Sequence, residues 1–120
     1  MPARVVVAVS DARVCDETAD ALIEMGYGAL PLANSLAALG ALESARRELL
    51  IVGADFGPGE PNGIALARMA RMKQPEIKVL FVGEQRLAHH MEGLGAFLAA
   101  PADTPQIVRK AIEILTETEA

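Results

Sequence analysis

The chain has 120 residues, 52% of them hydrophobic, with 11 Lys and Arg against 16 Asp and Glu and a formal net charge of −5. That length suits one domain with its own core, and the acidic balance excludes a basic face able to neutralise nucleic-acid phosphates. The lone cysteine, Cys15, excludes an internal disulfide and fits a reducing compartment. The apolar run Val5 to Val9 is too short for a signal peptide or a membrane span, so the cytoplasm is the expected location, with neither nucleic acid nor membrane as partner.

Twenty-two alanines and only four aromatic residues describe a core of small and aliphatic side chains, suited to close packing of helices on a sheet. Val5 to Val9 reads as a strand apolar on both faces, the mark of a parallel sheet covered on both sides. Ser10 or Asp11 can cap the helix that follows. Its apolar stripe is read as Val14, Thr18, Ala21, Leu22 and Met25, with Arg13, Asp16, Glu17, Asp20 and Glu24 on the other side and Gly26 as the stop.

Ala29 to Ala33 is a weaker strand, placed at a sheet edge because Pro31 lacks a backbone donor. Asn34 or Ser35 caps a short helix to about Ser44, and Leu49 to Gly53 forms the third strand. A loop from Asp55 to Gly63 leads into a helix ending at Lys73. Ile77 to Val82 is the fourth strand, Arg86 to Leu94 a short helix, Ala96 to Ala99 the fifth strand, and Pro105 to Glu117 the last helix. Five strands alternating with five helices predict a single α/β domain over residues 1–120: a doubly wound parallel sheet of flavodoxin-like order 2-1-3-4-5.

In such a sheet, chemistry gathers past the carboxyl ends of the strands. The residues there are Ser10 and Asp11, Asp55, Gly83 and Glu84, and Ala100 and Pro101. Asp11 and Asp55 should converge from neighbouring central strands.

With Asp55 eight residues before the Asn62-Gly63 pair, Asp11 after the first strand, Phe97 in the fifth and Pro101 after it, the whole chain resembles the receiver domain of two-component response regulators. The resemblance implies that Asp55 is the phosphoacceptor. It also implies that Asp11, Asp55 and the Gly57 backbone carbonyl bind magnesium, that Gly83 and Phe97 occupy the switch positions, and that the Ala100–Pro101 bond is cis. Three departures mark the pocket as degenerate. Ser10 stands in place of the first acid, Gly83 in place of a hydroxyl residue, and Ala100 in place of a lysine, and the stretch from Gly83 to Ala100 is short. A metal ion removes the repulsion between a carboxylate and an incoming phosphoryl group, and a lysine adds a direct charge-assisted contact. The pocket keeps the formal −2 of its relatives with one carboxylate fewer, so weak magnesium binding is expected.

Plainer readings apply to several residues. Asp55 can initiate a turn, and Asp11 can be a helix N-cap, a role compatible with metal contact. His89 and His90, adjacent on a helix, should point apart on a solvated face. Cys15, beside Asp16 and Glu17, should be unreactive. Gly57-Pro58-Gly59 follows the wrong strand and lacks the lysine of a phosphate loop.

The expected function is that of a stand-alone, non-enzymatic receiver that takes a phosphoryl group from a histidine kinase or phosphotransferase protein onto Asp55. It would act by contact with an unidentified protein target, with homodimerisation open. The alternative is a pseudo-receiver, a binding module that is never phosphorylated. A flavin-binding domain is disfavoured by the scarcity of aromatics and the lack of a glycine-rich turn after the first strand.

Overall fold

In the computed structural model, which describes residues 3–56 and 59–119, five strands form one sheet: β1 (Val5–Ala8), β2 (Ala29–Pro31), β3 (Leu49–Gly53), β4 (Lys78–Gly83) and β5 (Ala96–Ala99). Its order is β2-β1-β3-β4-β5 and all four pairings are parallel. The expected topology is therefore found. So is the edge position of the proline-containing strand, which is shorter than the Ala29–Ala33 read from sequence.

Three α-helices cross between the strands, α1 (Ala12–Glu24), α2 (Ser35–Ser44) and α3 (Gly63–Lys73), and α4 (Thr104–Glu119) follows the last strand. Alternate strand residues point to opposite faces, and this divides the core in two. Val6, Ala8, Leu50, Val52, Val79 and Phe81 meet α2 and α3 on one face. Val5, Val7, Leu49, Ile51 and Leu80 meet α1 and α4 on the other. Both faces of β1 and β3 are thus fully buried, as their uniformly apolar sequences require. Each large side chain so buried contributes roughly 1.5–3 kcal/mol.

The helix starts follow their capping residues. Asp11 and Asn34 cap α1 and α2, while Asn62 Oδ1 accepts the Ala65 N–H at 2.9 Å at the start of α3. Asp103 and Gln106 exchange side-chain-to-backbone bonds of 2.8 and 2.9 Å, a reciprocal box that starts α4.

Three sequence expectations are corrected. The expected α1 stripe is right at Thr18 and Leu22, which are buried, and partly right at Val14 and Ala21, which are half-buried, but it omits the buried Cys15 and Ala19 and wrongly includes Met25. Met25 is the C-cap, past the last helical residue, and is 60% exposed. β4 is displaced by one residue, because Ile77 is held in a turn by its N–H donating to the Gln74 carbonyl at 3.0 Å. Gly83 is consequently inside the strand.

The segment expected as a helix over Arg86–Leu94 is a 3₁₀ helix, Gln85–Met91. The physical reason is reach: 3₁₀ geometry rises about 2.0 Å per residue against about 1.5 Å for an α-helix. A short crossover between two parallel strands gains length that way.

Candidate functional site

The strand register places the site. Ala8 of β1 pairs with Val52 of β3, and Asp11 and Asp55 each follow that pair by three residues, at the same end of the sheet. The first of these steps is visible as contact: the Val9 Cα lies 3.8 Å from where a Cβ on Gly53 would stand. Gly53 pairs with Val82, and Gly83 with Ala99. The Ala100 N–H then donates to the Gly83 carbonyl at 2.7 Å. Gly83 and Ala99 are thus the last register pair of β4 and β5, and Ser10, Asp11, Ala54, Asp55, Glu84 and Ala100 lie just past the strand ends.

Asp11 is exposed and is the N-cap of α1: its Oδ1 accepts the N–H groups of Arg13 and Val14 at 3.0 and 3.2 Å. The capping reading is thus correct, and it leaves Oδ2 outside those two bonds. Asp55 is exposed and makes no hydrogen bond or ion pair with the other described residues. Glu84, just past the end of β4, is exposed and pairs with Arg86 at 3.0 Å.

The loop after Asp55 is tied down at several points. The Gly63 N–H donates to the Ala54 carbonyl at 2.9 Å, and a Cβ at Gly63 would lie 1.9 Å from the Gly53 oxygen, so only glycine fits where α3 meets β3. Glu60 reaches across to α2, where its Oε1 accepts the N–H of Ser35 at 3.0 Å and its hydroxyl at 3.2 Å. Ser35 is fully buried, and a carboxylate at a helix N-terminus is favourably placed in the helix field. Sequence reasoning missed Glu60. Its partner is 25 residues away, and no local pattern joins them.

The remaining positions are small, apolar or both. Ser10 and Ala100 are exposed, and the Ala100–Pro101 bond is cis, as the resemblance implied. Phe97 is half-buried and stacks on Phe81, ring centroids 5.9 Å apart with 17° between planes. Gly57, expected to offer a carbonyl to a metal, lies outside the described residues, as does Pro58 of the Gly57-Pro58-Gly59 stretch.

Among the described residues no three His, Cys, Asp or Glu side chains cluster as a metal cage. Two exposed carboxylates still match how magnesium is commonly held, by one or two carboxylates with water and substrate phosphate filling the shell. Asp11 and Asp55 supply donor oxygens of that class.

The residues given plainer readings are also placed. Cys15 is buried and its Sγ donates to the Val7 carbonyl at 3.1 Å. Burial pushes the thiol pKa up and Asp16 adds a smaller push, so the inert reading stands with burial, not the acidic neighbours, as the main cause. His89 and His90 are exposed as expected, but their rings do not diverge: the centroids are 4.0 Å apart. A broad depression at the opposite end of the sheet is lined by Arg47, Lys73, Gln74 and Lys78 among others. The Arg47 and Gln74 side chains there already bond helix-end carbonyls.

No protein-family model matches the sequence, and no curated protein matches it either. Solved structures do. A CheY-like response regulator receiver domain protein from Methanospirillum hungatei is 21% identical with TM-score 0.83, the match covering 99% of this chain and 98% of that one. NtrX from Brucella abortus, solved with ATP, is 18% identical with TM-score 0.83; the match covers 99% of this chain but only 28% of NtrX. The chemotaxis protein CheY4 of Vibrio cholerae is 16% identical with TM-score 0.79, over 95% and 99% of the two chains. The fold along almost the whole chain is that of the receiver domains.

Proposed function

We propose that the chain is a response-regulator receiver module that accepts a phosphoryl group on Asp55 and acts through protein contacts, with both its phosphorylation and its switching weakened. The observation that supports this reading is that two exposed carboxylates, Asp11 and Asp55, follow the carboxyl ends of adjacent strands of a receiver-type fold.

The step is simple to balance. A carboxylate oxygen of Asp55 attacks the phosphorus of a phosphohistidine on a histidine kinase or phosphotransferase protein. The P–O bond forms as the P–N bond breaks, and the imidazole nitrogen leaves with the electron pair and takes up a proton. Asp11 and Asp55 would hold magnesium weakly; the ion, when bound, supplies positive charge between carboxylate and phosphoryl oxygens. Asp11 is held in position by its capping bonds, and Glu60 fixes the loop that follows Asp55.

Ala100 offers the phosphoryl oxygens no cation, a missing contact of a kind typically worth about 1.5–3 kcal/mol. Labelling should therefore be slow. No helix among the described residues is long and apolar enough to cross a membrane, and the acidic chain is suited to a protein target rather than to nucleic acid.

Intact mass after incubation with a small phosphodonor and magnesium tests this. The natural chain should gain one phosphoryl group and Asp55→Asn none. Ala100→Lys with Ser10→Asp should label faster than the natural chain, and non-additively, because the two sites share one pocket. No added mass under saturating donor favours a second reading, a pseudo-receiver that binds its partner unphosphorylated. One observation supports that reading: the space beside Gly83 is already filled by a phenylalanine ring.

A further inference from the structure

Resting on the receiver reading above, we propose that Phe81 stands in for the side chain missing at Gly83 and holds the Phe97 ring in one place. β5 then presents the same surface whether or not Asp55 is phosphorylated.

Phe81 and Gly83 are two residues apart on β4 and so project to the same face. The Phe81 ring leans along the strand over Gly83. A Cβ at Gly83 would lie 2.5 Å from Phe81 Cε1, a distance that real Cβ atoms do not tolerate, and 3.4 Å from the Ala54 Cβ. Phe81 is completely buried, so its ring has no solvent side to retreat to. The space beside Gly83, where a hydroxyl side chain would stand, is thus filled by a ring rooted two residues earlier on the strand.

The same ring governs β5. Phe81 and Phe97 are direct partners in the β4–β5 register, and their rings stack. All three phenylalanines of the chain pack in or against the one cluster, Phe81 buried within it and Phe56 and Phe97 at its margin. A modification at Asp55 shifts an equilibrium only if it interacts differently with the two states. With glycine at 83 there is no β4 side chain to be drawn toward a phosphoryl group. With Phe81 in the slot, Phe97 has no vacancy to enter. The Phe81 ring, as it lies, thus leaves room at position 83 for glycine alone.

A thermodynamic cycle tests the pairing, using Gly83→Thr, Phe81→Leu and the double variant, with the aromatic resonances of Phe97 recorded for each. Gly83→Thr alone should lower the melting temperature by about 5–10 °C and displace the Phe97 ring signals. In the double variant the hydroxyl side chain regains its room, so at least half of that loss should return. Should Gly83→Thr not fold, Gly83→Ala, which adds only the Cβ, replaces it in the cycle. A double variant that falls by the sum of the single losses overturns the proposal.

A second arm adds beryllium fluoride and magnesium, a phosphoryl mimic, and follows backbone amides. In the natural chain, shifts should stay around residues 54–62 and leave residues 96–99 unmoved, whereas in the double variant residues 96–99 should shift at least threefold more. Movement of Phe97 in the natural chain equal to that in the double variant also overturns the proposal. If the mimic perturbs the Asp55 amide in none of the proteins, the receiver reading fails, and the thermal cycle alone decides the pairing of Phe81 with Gly83.

Discussion

The two ends of the sheet use their polar residues in opposite ways. At the amino end, Arg47 is only 8% exposed and all three of its guanidinium nitrogens donate: Nε and one terminal nitrogen to the Ala41 carbonyl at 3.1 and 3.0 Å, the other to the Ala3 carbonyl at 2.9 Å. Gln74 donates to the carbonyls of Leu42 and Ala45 at 2.7 and 2.9 Å and accepts the Arg47 N–H at 2.8 Å. These bonds close the C-terminal end of α2, whose last carbonyls have no partners within the helix, and a cation there suits the helix field. At the carboxyl end, Asp11 is committed only through one oxygen to a helix cap, and Asp55 to no other described residue. Arg47 and Gln74 at one end are consumed by structure, whereas Asp11 and Asp55 at the other keep carboxylate oxygens outside such bonds.

If that contrast is right, substitution of Arg47 should cost stability, substitution of Asp55 activity, and substitution of Glu60 or Asp11 some of each. The largest stability effect is expected for Arg47→Ala. It removes buried charge-assisted bonds to the Ala3 and Ala41 carbonyls and leaves the latter only its Ser44 hydroxyl donor, so urea denaturation should show a loss of about 3 kcal/mol. A loss under about 1 kcal/mol would mean that water replaces the guanidinium, and the amino end would no longer differ from the carboxyl end.

Glu60→Ala comes next, because it leaves the buried Ser35 N–H and hydroxyl unpaired. About 1–2 kcal/mol should be lost. Phosphoryl labelling of Asp55 should slow at the same time, since the loop beside the acceptor is released, and Glu60→Gln, which keeps an acceptor oxygen, should recover most of both. Unchanged labelling in Glu60→Ala would make the clip purely structural.

Asp11→Ala deletes the α1 cap and should cost about 1 kcal/mol, while magnesium affinity, followed by titration, falls at least tenfold. Asp11→Asn, a capping residue of equal quality, separates the two roles: stability should return and magnesium affinity should not. Equal magnesium affinity in all three proteins would remove Asp11 from the site.

The smallest stability change is expected for Asp55→Asn, an exposed residue without described partners, at within about 0.5 kcal/mol of the natural chain. Loss of phosphoryl labelling should nevertheless be complete. A large destabilisation by Asp55→Asn would show that the acceptor position is structural after all, and would erase the contrast between the two ends.

Much of this was legible in the amino-acid order, and for local reasons. Unbroken apolar runs such as Val5–Val9 and Leu49–Gly53 can only be strands covered on both faces, and their alternation with capped helices leaves few topologies. From that topology the placing of Asp11 and Asp55 at one end of the sheet follows, since strand ends in a parallel sheet point one way. What only the tertiary structure decided are relations between residues distant in sequence or between side chains competing for one volume. Arg47 caps α2 through Ala41 while also bonding Ala3, Glu60 bonds Ser35 across 25 residues, and the crossover from β4 to β5 winds as a 3₁₀ helix to cover its span. A glycine at 83 reads in sequence as a missing hydroxyl. In three dimensions it is a filled site, because close packing leaves no hole and the nearest ring, Phe81, takes the volume.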